Sequence, residues 1–131
     1  MIEFIIPGKP IPLRRARGSA HGYYDSQYQA KKNIQWLFNE QFPRFIPLTG
    51  PLSVKFIFHM QIPSSISEKK KRELIQTPNV KKVDTSNMIK FYEDSLNEIT
   101  WHDDCQIYEI YAIKLYSTEP KTILQIEEKN D

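Results

Sequence analysis

The clearest pattern in the chain is the alternation in PLSVKFIFHMQ, where Leu52, Val54, Phe56, Phe58 and Met60 recur at every second residue. A period of two places these side chains on one face of an extended segment, so a strand is predicted over 51–61. Ile2 to Ile6 alternates more weakly and ends at Pro7-Gly8, which suits a first strand. The segment after it, PGKPIPLRRARGSAHGYYDSQ, is rich in Pro, Gly and Arg and reads as a long loop. Tyr28, Ile34, Leu37, Phe38 and Phe42 then predict a helix running to about Phe42, with Asp25 or Ser26 as its cap and Pro43 and Pro47 closing it.

A short, heavily charged helix is predicted over 65–75, capped by Ser65 or Ser67 and broken at Thr77-Pro78-Asn79. Residues 84–98 form the next helix. At about 100° per residue, Met88, Tyr92, Leu96 and Ile99 gather on one side, and Ser86, Asn87, Lys90, Asp94 and Asn97 on the other. The apolar side is core and the polar side is free for chemistry. Strands over 107–116 and 122–126 follow, with STEPK between them as a hairpin-like turn. The order β-α-β-α-α-β-β predicts a single two-layer α+β domain over residues 1–131, a mixed sheet with helices against it.

Apolar residues at 40% and charged residues at 26% exclude a disordered chain. Cys105 is the one cysteine, so no intrachain disulfide forms and a reducing cytoplasm fits. The N-terminus has too short an apolar run, with no basic leader, to be a signal peptide, and no stretch approaches the roughly 20 apolar residues of a membrane span.

The net charge of +2 conceals a segregated chain. Residues 1–83 carry 14 Lys and Arg against 5 Asp and Glu, whereas residues 84–110 carry 1 against 7. Basic surface attracts a polyanion through its phosphates, and crowded carboxylates repel one unless divalent cations neutralise them. The combination points to metal-dependent work on nucleic acid.

Asp84, just before the third helix, suits either an N-cap or a metal ligand. Asp103 and Asp104, in the loop after that helix, suit either a turn or the same ion. Lys90 on the polar face can reach a phosphate oxygen, or pair with Asp94. Arg14, Arg15 and Arg17, with Lys9 before them and Tyr23 and Tyr24 after, combine phosphate contacts with rings on which bases stack; Lys81 and Lys82 extend that footprint. His102 has no second histidine at ligand spacing, and Trp101 reads as the anchor of its loop.

The string Asp84-x-x-Asn87-x-x-Lys90-x-x-x-Asp94-x-Leu96, followed by Trp101-x-Asp103-Asp104-x-Gln106-Ile107, resembles the RusA family of Holliday-junction resolvases. The opening strand, the Pro-rich loop with Arg15 and Arg17 and the tyrosine before the first helix resemble that family too. The resemblance implies a homodimeric, Mg²⁺-dependent endonuclease, with Mn²⁺ as a possible substitute, that makes paired nicks in four-way or branched DNA; many such proteins are prophage-encoded. It implies that Asp84 and Asp104 are catalytic acids and Lys90 an essential lysine; Asp103, from its place beside Asp104, is a candidate further ligand. Ser86 stands where the family carries a second acid, and a hydroxyl brings no negative charge to a cation. The alternative that follows is a protein that binds junctions without cutting them.

Overall fold

The computed structural model describes residues 1–14, 17–19 and 22–130. The chain forms β1 (Ile2–Pro7), β2 (Arg17–Ser19), β3 (Gly22–Tyr24), α1 (Tyr28–Gln41), β4 (Leu52–Gln61), α2 (Glu68–Leu74), α3 (Thr85–Leu96), a 3-10 turn (Asp104–Gln106), β5 (Ile107–Ser117) and β6 (Lys121–Glu128). The larger sheet has the order β1-β6-β4-β5. β4 lies inside it, antiparallel to β6 and parallel to β5, so that Phe56 stands between Leu124 and Ala112.

The alternation in β4 has its expected consequence. Leu52, Val54, Phe56 and Phe58 are fully buried in a core with Ile34 and Phe38 of α1 and Met88, Phe91, Tyr92 and Leu96 of α3. Phe4 of β1 meets Phe38 edge-on at 5.1 Å, and Phe58 lies 6.1 Å from Tyr92. Two helices therefore cover one face of a mixed sheet, the two-layer α+β arrangement expected from the order of elements. α2 buries none of its residues.

Three local expectations change. The long basic loop contains a small antiparallel pair, β2 with β3, whose strands are too short to leave a periodic signal. α1 starts after Gln27, with no side-chain cap; Asp25 instead accepts the Gln27 backbone N–H at 2.9 Å, a local turn. Ser67, one of the two candidates, does cap α2 by accepting the Lys70 N–H. Finally, STEPK does not close a hairpin. β5 and β6 lie on opposite sides of β4, because β4 has two edges to satisfy, and the turn steps across its end.

Candidate functional site

α3 carries the polar groups of interest, and its two ends differ. Asp84 holds the N-cap position, its carbonyl accepting the N–H groups of Asn87 and Met88 at 3.1 Å. Among the described residues its carboxylate caps nothing and meets only the Asn87 side-chain amide, at 3.4 Å. It is exposed and available. Val83 before it has φ 146°, a conformation a β-branched residue rarely adopts. Lys114 Nζ on β5 donates to the carbonyls of Lys81 and Val83, both at 2.8 Å, and so holds this strained approach in place.

The basic segment passes over this same end. Leu13 N–H donates to the Asn87 carbonyl at 2.9 Å, and Ile11 N–H to the Tyr92 hydroxyl at 3.1 Å. Lys9, Lys81 and Lys82 border one cavity there, and Arg14 is exposed next to Leu13. Arg15 lies outside the described residues, as do the side chains of Arg17 and Tyr24.

Ser86, Lys90, Glu93 and Asn97 fall within about 60° of one another around α3, a continuous polar stripe. At its far end Glu93 is half-buried, and desolvation with the nearby negative charges of Asp104 and Asp94 pushes its carboxyl up to about 7, against a smaller opposing effect of Lys90. Burial, then Asp103, also raise Asp104, while a hydrogen bond from Asn97 opposes the rise. Asn97 further accepts the Trp101 indole N–H at 2.8 Å, and Trp101 is fully buried. The tryptophan thus anchors the loop that carries the acids, as expected.

Asp103 begins the 3-10 turn with a capping box, accepting the Cys105 N–H at 2.9 Å while its own N–H donates to Gln106 Oε1 at 2.9 Å. The Cys105 N–H, followed by side-chain hydrogen bonds with Cys105 and Asp104, holds its carboxyl below the usual carboxylate range. Asp94 pairs with Lys31 of α1 at 3.0 Å, not with Lys90, because it faces α1 on the flank of the stripe. His102 is exposed.

One chain therefore does not bring Asp84 and Asp104 together. Asn97, beside Asp104, lies about 20 Å along the helix from Asp84, at about 1.5 Å per residue. The basic residues gather at the Asp84 end and the crowded acids at the other. Glu93 and Lys114 were given no role by the sequence reading, and Asn97 was placed on the polar face without one. Glu93 had a legible signal, since it lies between Lys90 and Asn97 on one helical face; Lys114 had none, because its partners are backbone carbonyls far away in sequence.

The donor set fits a hard divalent cation. It offers carboxylate oxygens, and the charges of neighbouring acids, second to burial in raising Glu93 and Asp104, are what a cation would offset. Among the described residues no three His, Cys, Asp or Glu form a ready cage for a metal ion.

The family profile of Endodeoxyribonuclease RusA matches residues 7–127. The chain belongs to the RusA family. Its similarity extends to a protein of Bacillus subtilis (strain 168), "Uncharacterized protein YqaN", which is 30% identical over 142 aligned positions covering 97% of this chain and 96% of the relative. RusA proteins are endodeoxyribonucleases of branched DNA, typically metal-dependent, and the acid–lysine stripe of α3 lies inside the matched region. Among the described residues, no helix is long and apolar enough to cross a membrane.

Proposed function

We propose that this chain is a Holliday-junction resolvase, a structure-selective endonuclease that nicks four-way DNA junctions with Mg²⁺. The observation that carries the reading is the stripe on α3: an exposed Asp84 at the basic end, Lys90 along it, and Glu93 with raised Asp104 at the other end.

The roughly 20 Å of helix between Asp84 and Asn97, beside which Asp104 lies, calls for a second copy. β5 is an edge strand with Tyr108, Ile110, Tyr111 and Ile113 exposed at 57%, 45%, 60% and 40%. Such an edge invites pairing. Residues 76–79 already cover its far end, through Asn79 N–H to Lys114 O and the bonds joining Gln76 and Thr77 to Tyr116. An antiparallel homodimer centred on Tyr111 sets Tyr108 of one copy opposite Lys114 of the other, with Ile107 next to it. Lys114 holds Val83, so the partner's Asp104 arrives beside Asp84. Each of the two composite sites then has Asp84 from one chain and Asp104 from the other.

In each site Asp84 and Asp104 would hold the cation, with Asp103 adjacent. When bound, Mg²⁺ polarises the scissile phosphate and stabilises its developing negative charge. Lys90 donates its ammonium to the phosphate oxygens as that charge grows. Glu93, whose proton affinity lies near neutrality, accepts the proton of the attacking water. It thereby supplies a carboxylate on the face where Ser86 has none. Lys9, Arg14, Lys81 and Lys82, with Arg15, Arg17 and Tyr24 on the same basic segment, grip the DNA backbone without reading sequence.

Ser86 favours a second reading, a junction-binding protein that does not cut. A labelled four-way junction tests both, beside linear duplex, in Mg²⁺ and in Mn²⁺. Paired nicks that vanish in Asp104→Asn are expected; binding without nicks in the parent chain, with cutting restored by Ser86→Asp, would establish the second reading instead.

A further inference from the structure

Beside the start of α3 lies a cavity of about 580 Å³ that the proposed chemistry does not use. Its volume falls within the roughly 300–1,000 Å³ of small-molecule sites. Lys9, Lys81 and Lys82 border it, Met60, Ile62 and Val83 give it apolar walls, and no carboxylate lines it. Asn79, buried at its edge, is fixed by two bonds: its Oδ1 accepts the Lys81 N–H at 2.9 Å and its own N–H donates to Lys114 O at 2.9 Å. The Asn79 Nδ2 amide remains to donate to a ligand.

An apolar slot, one oriented donor and a cationic rim together suit a flat body with acceptor edges and a negative charge beside it. A nucleotide has that chemistry. A base inside a duplex does not present it, whereas a base at a branch point is already partly unpaired and costs least to extract. We propose that this cavity receives one unstacked nucleobase of the branched DNA, its edge accepting from Asn79 Nδ2 and its flanking phosphates lying on Lys9, Lys81 and Lys82. The inference rests on the junction reading and adds to it a site for one nucleotide of the branch point. Val83 is a wall of the cavity and also precedes Asp84, so the strand leaving the captured nucleotide runs directly to the acid.

The test uses the full chain with a four-way junction carrying 2-aminopurine at its branch nucleotides, in Ca²⁺ to prevent cutting. Saturating protein is expected to raise the fluorescence at least twofold, because a base in this cavity loses its stacking neighbours. Filling the mouth with the double variant Ser64→Leu, Ser65→Leu, at two exposed lining residues, is expected to abolish the rise while junction affinity changes less than threefold. Junction binding with no rise, or with a rise indifferent to the double variant, overturns the base pocket and leaves the junction reading standing. A failure to bind junctions at all overturns both. Loss of the signal to micromolar free dAMP overturns the assignment to DNA in favour of a mononucleotide site.

Discussion

Glu93 ties stability to pH. Its carboxyl rises from 4.5 to about 7 in the folded chain, so the folded state binds that proton more tightly than the unfolded state. The associated stability is fully present below about pH 4.5 and is lost as pH rises through about 7. Urea midpoints measured near pH 5 and pH 8 should therefore fall more steeply for the parent chain than for Glu93→Gln, and Mg²⁺ at pH 8 should recover more stability in the parent. Equal slopes in both chains would show that burial and the neighbouring acids do not raise the Glu93 carboxyl. At this scale the sequence spoke unevenly. Asp84, Lys90 and Asp104 were legible because each stands at a recognisable place on or beside a helix. The separation of Asp84 from Asp104 was not: both were expected on one ion, and only the path of Trp101 and Asn97 shows that the loop stays at the far end of α3.

At the scale of elements, β5 supports the start of α3 from outside it. Lys114 holds two carbonyls of the 81–83 segment, so Lys114→Met should leave junction binding nearly intact and lower cleavage roughly 100-fold, the cost of a small misplacement of a reacting group. Lys114→Arg should restore part of the rate; equal loss of binding and cleavage would make the residue a DNA contact and not a positioning one. The helices and long strands were legible in the chain because the periods of Phe56 and Met88 are strong. The fate of STEPK was not. Local sequence cannot tell a hairpin from two strands that receive a third between them, since the third, β4, lies some fifty residues away.

Across the whole molecule, the segregation of basic and acidic residues becomes two ends of one helix, one presenting cations and the other carboxylates. The composition reported that contrast, while the proposal of a second copy to unite the ends rests on an edge strand with exposed apolar side chains. Tyr111→Lys with Ile113→Lys should convert a dimer into monomers in sedimentation and abolish cutting, yet leave the far-ultraviolet circular dichroism unchanged; a monomeric parent chain would reject the composite site. The strand order carries one more consequence. β1, the first strand, pairs only with β6, the last, and β4 needs the same strand along its other edge. A nascent chain emerging from the ribosome therefore has no complete sheet until residue 128 is free, and no stable platform for the acids of α3. A chain ending at Pro120 should accordingly be digested completely by trace protease where the parent resists. Synthesis itself thus delays the appearance of the proposed DNA-cutting surface until β6 has been made.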